Sequence, residues 1–146
     1  MNEIARQIRL VVDTAEPKFY NITENEAGLK PAPEKWSKKE ILGHLIDSAA
    51  NNHQRFVRAV YNSAENFPLY NQDDWVRIQQ YNNSSWKLLV SLWSAYNRHL
   101  SDLIERIPEE AKSSLCNFGE QEPVALEIVI TDYLRHLRHH VDQLTK

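Results

Sequence analysis

The chain has 146 residues, 42% apolar and 25% charged, with a net charge of −3, which is the composition of one globular domain and excludes a disordered chain. No basic stripe is present, so a nucleic-acid partner is excluded, and one cysteine, Cys116, excludes an internal disulfide framework. Residues 1–6 do not open on a cationic segment followed by an apolar one, and no apolar run reaches membrane-spanning length; a cytoplasmic protein with no membrane partner is expected.

Three glycines leave little material for tight turns, which favours long helices over a many-stranded sheet. The first helix is expected over about residues 2–20, where Ile4, Ile8, Val11 and Ala15 recur at helical spacing. Residues 21–35, with Gly28, Pro31 and Pro33, read as an extended loop. Ser37 and Glu40 form a capping box that opens a second helix reaching about Asn62, with Trp36 and Ile41 placed as a hydrophobic staple. Residues 62–83 are irregular and rich in Asn, Gln and aromatic residues, with a short helix over about 72–80. A connection this long covers a site or crosses between the ends of a bundle. From Ser84 or Ser85 a third helix begins. In it Trp86, Leu89, Trp93, Tyr96, Leu100, Leu103 and Ile107 alternate spacings of three and four, and Pro108 closes the seam. After a loop over 108–121, Pro123 is expected as the first residue of a fourth helix reaching about Leu144. Four amphipathic helices joined by longer connections make an all-α four-helix bundle, one domain over residues 1–146.

Three of the six histidines lie in the last helix, at His136, His139 and His140. His136 and His140 are four apart, which puts two imidazoles on one helix face a turn apart, close enough to hold one metal ion. The same pair also suits the polar flank of an ordinary helix. At about 100° per residue the apolar stripe centres near Leu126, Leu137 and Leu144. His140 lies at its edge, His136 slightly further round and His139 towards the polar side, so His136 and His140 are the inward pair. His44 is the candidate third ligand. It starts a polar stripe with Asp47, Ser48, Asn51 and Arg55, opposite the apolar face of its helix. Taken alone that wheel points to solvent; a site there requires a helix buried on both sides. His53, near Phe56 and Leu45, reads as a core histidine, and His99 as structural or pocket-lining.

The stretch Pro33 to Asp47 carries Trp36-Ser37, then His44-Leu45, then the acidic Asp47 three residues after the histidine. It resembles the second-helix entry of the DinB-like four-helix-bundle family. The closing His136, His139, His140 and Gln143 resemble that family's terminal H-x-x-H-H-x-x-Q motif, and the resemblance spans essentially the whole chain. It implies a divalent metal ion held by His44, His136 and His140, with His139 not a ligand. The family often has His-Glu at the start of the last motif and Arg-Gly-Gln near its end. Here His136-Leu137 and Val141-Asp142-Gln143 stand instead, so the contacts around the ligands differ.

Three neutral imidazoles leave an ion its double charge and an open position, and imidazole suits Zn and Ni alike. Asp47, one turn from His44, is the candidate catalytic residue, to orient a ligand or take a proton. Tyr70, Trp75 and Trp93 are the expected pocket walls. The resemblance implies a metal-dependent enzyme acting on a small-molecule substrate, either a hydrolase or a transferase or isomerase using a low-molecular-weight thiol, and is compatible with a homodimer. The alternatives are a non-catalytic, stress-related bundle that binds a metal or ligand, and a helical interaction module without metal.

Overall fold

The computed structural model describes all residues, Met1–Lys146. Helix α1 (Asn2–Tyr20) buries Ala5, Ile8, Val12, Ala15 and Phe19 along one stripe. A short helix α2 (Glu24–Gly28) interrupts the stretch expected to be extended. Its cause is local: the Thr23 amide donates to Glu26 Oε2 at 2.8 Å and the Glu26 amide donates to Thr23 Oγ1 at 3.3 Å, a complete capping box. Helix α3 (Lys38–Tyr61) opens on the second such box. The Ser37 amide donates to Glu40 Oε2 at 2.8 Å and the Glu40 amide to Ser37 Oγ at 3.2 Å.

Strand β1 (Glu65–Asn66) and helix α4 (Gln72–Gln79) occupy the next connection, and helix α5 (Trp86–Glu105) follows. Two short strands, β2 (Leu115–Asn117) and β3 (Val124–Ala125), lead into helix α6 (Leu126–Leu144). β2 pairs in parallel with β1 and antiparallel with β3, with Cys116 opposite both Glu65 and Val124. This small sheet corrects the expected start of the last helix. Val124 and Ala125 are extended because they pair with β2, so the helix begins at Leu126 and not at Pro123.

The four long helices form an all-α bundle with diagonal connectivity. α1 packs on α5 and α6, and α3 packs on the same two helices, so α1 stands diagonal to α3 and α5 diagonal to α6. Diagonal helices cannot be joined by a tight hairpin loop, which accounts for the long connections from α1 to α3, carrying α2, and from α5 to α6, carrying β2 and β3; the equally long connection between the adjacent α3 and α5 carries β1 and α4 instead. One connected apolar cluster fills the bundle. Trp93 is fully buried within it, its ring 5.0 Å from that of Phe19, so it is a core residue and not a pocket wall. His53 is half-buried and not a core residue. Its Nδ1 lies 3.1 Å from the Tyr96 hydroxyl and its ring 5.1 Å from that of the exposed His99, at the rim of the α3–α5 contact. No helix is long and apolar enough to cross a membrane.

Candidate metal centre and its cleft

Residues 42–49 of α3 are all buried, the polar His44, Asp47 and Ser48 included. One side of the helix faces α5 and α6, and the other is covered by α4 and the turn at Tyr81–Asn83 folding back on it. Gly43 permits this cover. A Cβ there would fall within the ring of Tyr81, so only a glycine lets that ring cross the helix backbone at this level. The helical wheel of α3 leaned towards solvent because it assumes one exposed face; the long connection removes that face, and His44 is only 2% exposed.

His44, His136 and His140 converge there. Their ring centroids stand 4.9, 4.8 and 4.6 Å apart with planes crossing at 72–75°, and one ring nitrogen from each lies within 4.8 Å of the others. His44 Nε2 and His136 Nε2 face each other at 3.0 Å. Two nitrogens on a tetrahedral zinc ion stand about 3.3 Å apart, since each bond is about 2.05 Å. That edge of the triangle therefore has ligand spacing.

The donor set fits a divalent ion. Two Nε2 atoms face each other, and buried His44 Nδ1 has no partner. Neutrality of the rings is also built in. Burial above all, then the neighbouring His136 and His140, push the pKa of His44 down to about 3. Burial, then His140, push His136 down to about 4, and burial lowers His140 as well. Rings that resist protonation keep their lone pairs for a metal.

The surrounding contacts orient both rings of α6. His140 Nδ1 lies 2.8 Å from Gln143 Oε1, an acceptor only, so Nδ1 carries the proton and Nε2 keeps the lone pair. The Gln143 amide nitrogen lies 3.2 Å from His139 Nε2, so the exposed His139 steadies Gln143 without touching the site. His136 Nδ1 faces Ser48 Oγ at 3.4 Å, and its Nε2 is turned towards His44. Trp36, just ahead of the Ser37 capping box, places its ring 5.1 Å from that of His44 and walls the triad on that side.

Asp47 is 3% exposed and is not among the clustered ligand atoms. Its Oδ1 accepts from the Tyr81 hydroxyl at 2.6 Å and the Gln79 amide at 2.7 Å, while buried Oδ2 has no partner. Burial raises its pKa against the lowering effect of these two hydrogen bonds.

A cleft of about 400 Å³ opens onto His44 and His136 and runs beside α3 and α6. Tyr70 lines it as expected. Trp75 packs against Tyr70 at 5.1 Å from behind and does not reach the cleft. The residues that sequence reasoning missed here are Phe118 and Arg55. The β1–β2 pairing sets the segment bearing Phe118 beside α3, where its ring stacks on Phe67 at 5.7 Å and receives the Arg55 guanidinium 4.8 Å from its centroid. Arg55 sat in the polar stripe with His44, which was a usable signal; nothing in the sequence announced Phe118.

The DinB superfamily model matches residues 7–144. The chain belongs to the DinB superfamily. Among solved structures it is similar to YfiT from Bacillus subtilis, described as "a probable metal-dependent hydrolase with an unusual four-helix bundle topology". The TM-score is 0.88 at 15% identity, over 98% of this chain and 82% of that one. It is also similar to a mycothiol-dependent maleylpyruvate isomerase, with a TM-score of 0.78 at 16% identity, over 97% of this chain and 59% of that one. Both likenesses concern the fold. A Bacillus mycoides (strain KBAB4) protein named "Putative metal-dependent hydrolase" is 24% identical over 110 residues, 75% of this chain. A Bacillus cereus (strain ATCC 10987) protein of the same name matches equally. The chain spans 63% of the length of these curated relatives.

Proposed function

We propose that this DinB-superfamily protein is a metal-dependent hydrolase of a small-molecule substrate, with His44, His136 and His140 as the ligands of one divalent ion. The observation that carries the reading is the convergence of three ring nitrogens, all lowered in basicity, with two of the rings lining a cleft. Zn or Ni is the ion that an all-imidazole donor set favours. When bound, such an ion supplies Lewis-acid polarisation of a substrate oxygen and lowers the pKa of water towards 7. The relatives named as metal-dependent hydrolases support this chemistry over the thiol chemistry of the isomerase, which resembles the chain in fold alone.

The chain's own residues do the rest. Gln143 and Ser48 hold the rings of His140 and His136 with Nε2 inward. Tyr81 and Gln79 immobilise Oδ1 of Asp47, which leaves Oδ2, one helical turn from His44, as the atom that takes and returns a proton. Burial raises the Asp47 pKa towards working pH, as a proton acceptor requires. Tyr70 and Phe118 narrow the cleft and limit water around the substrate. The single cysteine, buried Cys116, accords with a reducing, cytoplasmic setting.

The test is a screen of metal-loaded protein against amide, ester and thiol-conjugate substrates with His44→Ala as control. Hydrolysis that disappears in the variant supports the reading. Turnover only of thiol conjugates moves the protein to transferase chemistry, and equal activity in both proteins removes the enzyme reading.

A further inference from the structure

Arg55 lies eleven residues after His44 on α3. Eleven steps of about 100° are three turns and about 20°, so both residues share one face, about 16 Å apart along the axis. Helical side chains lean towards the N-terminus, so the Arg55 side chain recovers part of that distance towards the triad.

The guanidinium is half-buried in the cleft wall and forms no ion pair, although most other arginines of the chain do. Phe118 supports its face, and its one side-chain hydrogen bond is a long 3.4 Å contact to Asn52 Oδ1. A partly desolvated cation without a counter-charge is costly to keep, and burial lowers its pKa accordingly. Asp132 also lines the cleft but is paired with Arg135 at 2.6 Å. The remaining lining is mixed, with apolar Leu69, Val124 and Ile128 beside polar Ser48, Asn52 and Gln121.

We infer that Arg55 is a specificity-determining residue that anchors the carboxylate of a substrate whose body fills the cleft and whose reactive end reaches the histidine triad. The guanidinium fork matches a carboxylate in two parallel hydrogen bonds. A phosphate dianion fits less well, because no lysine or second arginine lines the cleft. The separation along α3 calls for an elongated acid, such as an acylated amino acid. The placement of the reactive end rests on the metal reading; the carboxylate anchor does not.

The experiment measures calorimetric binding of phenylbutyrate and its neutral amide to the full-length protein, wild type, Arg55→Gln and His136→Ala, with bound metal determined separately in each. The acid binds wild type at least about tenfold tighter than the amide. Arg55→Gln removes that preference and leaves amide affinity and metal content unchanged, whereas His136→Ala lowers metal content and keeps the preference. Circular dichroism shows that each variant is folded, and Arg55→Lys restores part of the preference if Gln at this position perturbs packing. Equal affinity for acid and amide, no detectable binding of the acid, or a preference that follows His136 and not Arg55 overturns the inference. Absence of metal from wild type with the acid preference intact refutes the metal reading and leaves the carboxylate anchor standing.

Discussion

Gln143 lies outside the triad, yet its amide decides how one ligand is presented. Gln143→Leu keeps helix propensity and approximate size and removes the acceptor 2.8 Å from His140 Nδ1. The freed ring loses the hydrogen bond that fixes its tautomer, so Nε2 carries the proton part of the time and is then no ligand. Partners of this kind are worth about 10- to 100-fold in metal affinity, or about 1.4–2.8 kcal/mol. Gln143 is exposed, so folding stability of the metal-free protein should change by less than about 0.5 kcal/mol. Competition against a chromophoric chelator reads the affinity, and urea denaturation of metal-free protein reads the stability. His139→Ala touches only the far side of the Gln143 amide and should cost less than a third as much in free energy. Unchanged metal affinity in Gln143→Leu, or a larger loss in His139→Ala, would refute the assignment of His140 Nε2 as the inward atom.

Other expectations follow from the same geometry. In metal-free protein the triad rings have folded-state pKa values below the ordinary 6.5, reaching about 3 for His44 and about 4 for His136. Their contribution to stability is therefore complete above about pH 6.5 and is lost as the pH falls towards those values, by about 1.4 kcal/mol per pH unit for each ring still neutral. Denaturation curves between about pH 6.5 and pH 4.5 should be flatter in His44→Ala than in wild type, and identical slopes would contradict the shift. Gly43→Ala gains about 1 kcal/mol of helix propensity but must displace the Tyr81 ring; a net loss of about 1–2 kcal/mol is expected in thermal unfolding, and a stabilised protein would sink that account. Asp47→Asn retains an acceptor for Tyr81 and Gln79, so stability should stay within about 1 kcal/mol while turnover falls about 10²- to 10⁴-fold; unaltered turnover removes Asp47 from the chemistry.

Much of this arrangement was legible in the residues. The Ser37 box, the seam from Trp86 to Ile107 and the pair His136 and His140 are local signals, and local hydrogen bonding and periodicity decide them. The Thr23 box is equally local, but the prolines that follow it dominate the pattern of that stretch. The diagonal pairing of helices, the three short strands and the burial of His44 are long-range outcomes. Strands of two or three residues carry no readable alternation, and whether α3 has one buried face or two depends on where a connection of more than twenty residues folds. Trp93 illustrates the same gap: its place in the seam was right, but only packing against Phe19 shows that it looks into the core and not into the cleft.

The central claim, that His44 completes a metal site with two histidines about ninety residues away, is tested most directly by metal content. Untagged wild type and His44→Ala are loaded with zinc or nickel, dialysed and analysed for bound ion per chain, with circular dichroism as the check on folding. About one ion per chain is expected in wild type and almost none in a folded His44→Ala. No retained ion in wild type, or equal retention in both, would contradict it.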